Sequence, residues 1–168
     1  IISARRKTEL DIIAKDLVRL YSVDVRVVVA DLADDGVNVI AEYLHSKDIA
    51  LCGLVNNAGF GICAEFSTAN IKTQQAMCDV NMTSLVCLTH AMIPYLKQQR
   101  DAFIINVASV AAYQAGPYMA VYYATKAFVL SFSEALYEEL KPSGVSVSCV
   151  CPGPTATEFA ERAGLVNK

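Results

Sequence analysis

Charge is scarce in this 168-residue chain. Only 18% of residues are charged, and 14 basic against 17 acidic side chains leave a net charge of -3. No basic run exceeds Arg5-Arg6-Lys7, so nucleic-acid binding finds no support and no nucleic-acid partner is expected. Histidine is limited to His45 and His90, and none of the six cysteines forms a CxxC pair. A zinc site therefore has few candidate ligands, and no metal is expected. Glycine is thinly spread: of eight, only Gly59-Phe60-Gly61 has GxG spacing, and the next is Gly116. No phosphate cradle at a helix N-terminus can be built from these. The chain opens on Ile1-Ile2-Ser3-Ala4 with neither an initiator methionine nor a charged n-region. It reads as starting inside a strand, without a signal peptide. Residues 102–125 carry no charge, but Asn106, Ser109, Gln114, Gly116 and Pro117 interrupt them, so no membrane span is expected there.

What is abundant is apolar: 54% of residues are hydrophobic. That excludes disorder and suits one domain, residues 1–168, burying roughly 70% of its unfolded surface. Cys52, Cys63, Cys78, Cys87, Cys149 and Cys151 read as small buried hydrophobes in a reducing, cytoplasmic compartment. Cys149 and Cys151 share one face of a strand-like run, about 7 Å apart by strand rise. That is slightly too far for an undistorted disulfide.

Short apolar, β-branched runs alternate with helix-period segments. Strands are expected at 1–4, 25–30, 51–55, 102–107 and 145–151. Helices are expected at 8–21, from Asp34 or Asp35 to about 45, at 71–96 and at 118–140. Leu10, Ile13, Leu17 and Leu20 fall on one face of the first helix. Continuous apolar strands imply a sheet covered on both faces, hence a doubly wound, parallel α/β domain. Ligands of such folds bind at the carboxyl ends of the strands.

One pair there has chemical potential. Tyr122 and Lys126 are four apart, which sets a phenol and an ammonium on one helix face. The cation is expected to lower the phenol pKa, as suits a proton donor to a carbonyl oxygen. Tyr43…Lys47 and Tyr137…Lys141 share the spacing, but both fall late in helices, where lysine simply complements the dipole. Context separates them: Ser109 lies thirteen residues before Tyr122, just past a strand, whereas the equivalent positions for the others are Ala30 and Ala124.

Ser109, Tyr122 and Lys126, together with Asn56-Asn57-Ala58-Gly59, Asn81 and Pro152-Gly153, resemble the classical short-chain dehydrogenase/reductase family. The resemblance runs from Ser3-Ala4-Arg5-Arg6 to the run ending Thr157-Glu158-Phe159. It implies a Rossmann-like fold and an oxidoreductase that interconverts a carbonyl and an alcohol of a small molecule by hydride transfer. In that reading Tyr122 is the acid/base, Ser109 binds the substrate oxygen, and Lys126 tunes Tyr122 and binds the nicotinamide ribose. Asn81 holds a water linked to Lys126. Asn56, Ala58 and Gly59 lie along the adenine ribose, and Asp31 accepts from the adenine amino group. Pro152, Gly153, Thr155 and Thr157 wrap the carboxamide. The acidic residue that selects NAD is replaced by Ala4-Arg5-Arg6. Arg5 suits a 2′-phosphate, so NADP is favoured over NAD. The family also implies a homodimer or homotetramer built on the 71–96 and 118–140 helices.

The chain departs from the family by lacking the first strand with its glycine-rich turn, and it stops where a substrate-covering segment is expected. A catalytically silent binding or scaffolding protein on the same fold is the alternative. Direct pairing of residues 1–4 with 51–55 would mark it.

Overall fold

A computed structural model describes residues 1–155 and 157–165. Ala156, inside the 152–159 motif, lies outside the described residues. The chain divides into two compact units, Ile1–Ile49 and Ala50–Lys168.

In the first unit, β1 (Ile2–Ala4) pairs in parallel with β2 (Val27–Val29), Ser3 opposite Val28. Helix α1 (Lys7–Tyr21) connects them, and α2 (Gly36–Ser46) follows β2. Both strands are shorter than the apolar runs that announce them. Of the face expected on α1, Leu10 is 4% exposed, but Ile13 and Leu20 are 49% and 60% exposed. Length explains the difference. A three-residue strand spans about 10 Å, whereas fifteen helical residues span about 22 Å, so the sheet covers only part of the stripe.

In the second unit, β3 (Gly53–Asn56), β4 (Phe103–Val107) and β5 (Ser146–Val150) form a parallel sheet in that order. Asn56 stands opposite Asn106, and Asn106 opposite Cys149. Between β3 and β4 run α3 (Ile71–Cys78), a π-helical turn (Asp79–Thr83) and α4 (Ser84–Leu96). Helix α5 (Ala120–Leu140) joins β4 to β5. The whole of Ile71–Leu96 is long and apolar enough to cross a membrane by length and composition. In the fold it buries Met77, Leu85, Leu88, Met92 and Leu96. Parallel strands alternating with helices make the architecture α/β and Rossmann-like. Neither sheet holds both β1 and β3.

The core of the second unit contains a polar chain. Asn56 donates to Thr89 Oγ1 at 2.9 Å and to Asn106 Oδ1 at 2.8 Å. Asn106 donates to Ser133 Oγ at 2.9 Å, and Ser133 to the Val129 carbonyl at 2.6 Å. All four side chains are buried. Full pairing is what allows amides at such depth, because each unpaired group would cost about 1–3 kcal/mol.

The cysteines differ from expectation. Cys52 and Cys87 are exposed and the other four half-buried, all as free thiols. Cys52 precedes β3, and Cys87 lies on the outward face of α4.

Candidate active site

Chain direction brings the candidate side chains together at the carboxyl end of β4. The strand ends at Val107, and two residues later Ser109 opens a short 3-10 turn (Val110–Tyr113) in extended backbone. Its Oγ accepts from the Ala111 N–H at 3.1 Å, which leaves the hydroxyl proton to donate. Tyr122 stands in the first turn of α5 and is buried. Its ring packs on Phe159 at 5.2 Å and on Tyr123 at 6.0 Å between centroids.

Burial pushes the Tyr122 phenol above its ordinary value, a hydrogen bond with the Ser109 side chain opposes this more weakly, and Tyr123 adds to the rise. This corrects the expected depression by Lys126. The ammonium lies 5.9 Å from the centre of the Tyr122 ring and donates instead to the Val107 carbonyl at 2.8 Å. Desolvation therefore decides the direction, and the phenol stays protonated at neutral pH. The same burial lowers Lys126 to about 8, while the nearby Cys149 and Cys151 oppose the fall.

Asn81 lies in the π-turn and is 1% exposed. Its amide nitrogen donates to the Phe60 carbonyl at 2.9 Å and to Thr125 Oγ1 at 3.0 Å, while its oxygen accepts from Phe60 N–H at 3.0 Å. Thr125 in turn donates to the Tyr122 carbonyl at 2.7 Å. Helix insertions of this kind frequently stand at functional sites. Gly59 sits against the same group: a Cβ there would meet Asn81 Oδ1 at 3.1 Å and Lys126 Nζ at 3.4 Å. A Cβ at Gly61 would meet the Phe159 and Tyr122 rings at 2.8 and 3.0 Å.

The remaining candidates are placed as follows. Asn56 turns into the buried polar chain, whereas Ala58 is exposed. The Pro152 carbonyl accepts from Val110 N–H at 3.1 Å, which ties the 152–153 segment to the turn after Ser109. Gly153, Thr155 and Thr157 are exposed; Thr155 donates to the Gly153 carbonyl, and Thr157 Oγ1 accepts from Phe159 N–H. In the first unit, Asp31 accepts from Ala33 N–H at 3.0 Å and lies 3.9 Å from Arg5, both side chains largely exposed. The structure thus gathers Asn81, Ser109, Tyr122, Lys126 and Gly59 around one point. Sequence reasoning missed Thr125, Phe159 and Gly61 as members of the group. Thr125 was discoverable, because three residues after Tyr122 is the same helix face.

Comparison with known proteins places this arrangement. The short chain dehydrogenase family model matches residues 1–165, and the chain belongs to that family. An uncharacterized oxidoreductase of Staphylococcus epidermidis is 30% identical over 98% of this chain and 73% of its own length. Among solved structures, a short-chain dehydrogenase from Sphingobium yanoikuyae in complex with NADPH matches with a TM-score of 0.89. It is 34% identical over 96% of this chain and 63% of its own. L-sorbose reductase from Gluconobacter frateurii, complexed with NADPH and L-sorbose, matches at TM-score 0.83 and 30% identity, over 90% of this chain and 58% of its own. The chain thus spans somewhat under two thirds of each of these two solved structures.

Proposed function

We propose that the chain is the greater part of an NADP-dependent oxidoreductase that interconverts a carbonyl and an alcohol of a small molecule, with Tyr122 as its acid/base. The observation that carries this reading is a buried phenol, kept protonated by desolvation, with the Ser109 side chain near enough to act on it and Lys126 against its ring. Such a phenol is a proton donor at neutral pH. Ser109, its oxygen fixed by Ala111 N–H, directs its own proton to the substrate oxygen as negative charge gathers there. Tyr122 then delivers its proton to that oxygen. The Asn81–Thr125–Tyr122 chain of bonds fixes the helix turn that presents the phenol.

The residues fit a nicotinamide cofactor at one end. Lys126 has three N–H donors, one directed to Val107, and the backbone at Gly59 beside it carries no Cβ. Lys126 and Gly59 would hold ribose hydroxyls, with Ala58 along the adenosine side and Pro152, Gly153, Thr155 and Thr157 about the carboxamide, while the buried Asn56 side chain anchors its segment to the core. Bound NADPH supplies the hydride. Arg5 supports NADP over NAD, since a guanidinium suits a phosphate, and Asp31 would accept from the adenine amino group. The two NADPH-bound relatives favour the same choice. The reading includes a cytoplasmic homodimer or homotetramer with neither a nucleic-acid nor a membrane partner.

The test is a panel of ketones and aldehydes with NADPH, comparing the parent with Tyr122→Phe and Tyr137→Phe. Tyr122→Phe is expected to lose carbonyl reduction by about 10²–10⁴-fold or more while retaining NADPH binding. Tyr137→Phe, whose ring lies 5.5 Å from the Lys141 ammonium at the end of α5, is expected to change neither. Undiminished turnover in Tyr122→Phe would overturn the assignment, and a parent that neither binds NADPH nor turns over would favour the silent alternative.

A further inference from the structure

Outside the proposed acid–base set, a pair of thiols stands at the carboxyl end of β5. Cys149 is in that strand, opposite Asn106, and Cys151 is the first residue beyond it. Both are free and half-buried. Bonds from Ala108 N–H to the Val150 carbonyl and from Val110 N–H to the Pro152 carbonyl hold the backbone of Cys151 beside Ser109. The two thiols lie close enough to act on one another. Tyr113, in the 3-10 turn after Ser109, donates its phenolic proton to Cys151 Sγ at 3.4 Å. Both sulfurs lie close enough to Lys126 to act on its charge. Apolar Leu85, Ala108, Val129 and Phe132 surround the pair.

We propose that Cys149 and Cys151 form a dithiol site that captures a soft, thiophilic centre able to take two thiolates at once, such as trivalent arsenic. Three features select this chemistry. The sulfurs sit on one strand face and pack against the same Leu85, Ala108 and Val129 side chains, so a single atom can bridge them. The two-residue strand spacing is about 6.7 Å between Cα atoms, at the upper end of the range of about 4.4–6.8 Å for disulfides. A direct S–S bond would thus strain a backbone pinned by the Ala108 and Val110 bonds, whereas an interposed atom relaxes the demand. Thiolate is the ligand such soft centres prefer, and binding displaces the proton that burial holds on the Cys149 thiol. With an arsenoxide, two As–S bonds form while the As=O and both S–H bonds break. The oxygen and the two protons leave as water, and arsenic remains trivalent.

Phenylarsine oxide is the probe, read by intact mass on the unmodified chain after excess glutathione has removed singly bound reagent. The parent is expected to keep one phenylarsenic group and to release it to a dithiol reductant. Cys149→Ser and Cys151→Ser are each expected to lose it, and Cys52→Ser to keep it. Retention in the Cys149→Ser, Cys151→Ser double variant, or no retained group on the parent, overturns the proposal. A second effect rests on the oxidoreductase reading: with Lys126 and Ser109 adjacent, the adduct is expected to abolish NADPH-dependent turnover in the parent but not in Cys151→Ser. Because the mass readout needs no activity, failure of that reading leaves a separate signature, an adduct on an inactive protein.

Discussion

Lys126 is a cation that the fold holds at 6% exposure, with burial lowering it from 10.5 to about 8. Between those two values the unfolded chain keeps the proton that the folded chain has released. Stability therefore rises with pH across this window, and below about pH 8 the full cost of burying the charge is present. At ~1.4 kcal/mol per pH unit the cost is of order 3 kcal/mol. Lys126→Met is accordingly expected to exceed the parent in stability at pH 7, less whatever the lost bond to Val107 is worth. The gap should close by pH 10.5, as urea midpoints at a series of pH values would show. At the same scale, Arg5 is only loosely engaged, 3.9 Å from a largely exposed Asp31, and is available to another anion. Arg5→Asp is expected to weaken NADP binding much more than NAD binding in a titration of both coenzymes. Equal losses would remove Arg5 from phosphate reading. The Tyr122–Lys126 pair was legible in the sequence because a helix repeats every four residues, and Ser109 because it follows a strand. The direction of the Tyr122 pKa was not. It depends on the Phe159 ring, 37 residues away, and on the ammonium turning to Val107.

Among the elements, the alternation of strand and helix was readable from apolar runs, while their ends were not. The runs at 25–30 and 145–151 yield Val27–Val29 and Ser146–Val150, because pairing stops where the partner strand stops. The π-turn in the 71–96 helix was equally hidden. What fixes it is Asn81 bonding both backbone groups of Phe60, a contact between segments 21 residues apart. The buried polar chain likewise joins β3, α4, β4 and α5, and no local pattern announces it. Its central member gives a prediction. Asn106→Leu keeps approximate size but removes the acceptor of Asn56 and the donor to Ser133. The expected loss is about 1–3 kcal/mol. It should appear as a lower urea midpoint with an unchanged m-value. No change in midpoint would mean that Thr89 and Val129 satisfy the remaining groups alone.

For the whole molecule, the proposed homo-oligomer needs a face that a second copy can cover. Helix α5 turns Tyr122, Lys126, Val129, Ser133 and Leu136 inward. On the opposite side Ala124, Ala127, Phe128, Ser131 and Ala135 are exposed, at the spacing of a continuous helix face. This outer face is small over its first turns, with Glu134 and Glu138 exposed toward its C-terminal end, and Phe128, 39% exposed, stacks on Phe132 with centroids 5.9 Å apart. Small residues let another helix approach closely, and a two-fold axis would set the same face against itself. The proposed homodimer or homotetramer uses this face. Light scattering at micromolar concentration is expected to give two or four times the chain mass. Ser131→Arg, which places an unpaired charge at the centre of the contact on both copies, should reduce it to a single chain mass. Burying that charge costs several kcal/mol per copy, enough to outweigh a modest interface. Because Ser131 is exposed, the variant chain itself should keep the parent's thermal transition when extrapolated to low concentration. A parent that scatters as a monomer, or a variant that still assembles, would place the contact elsewhere.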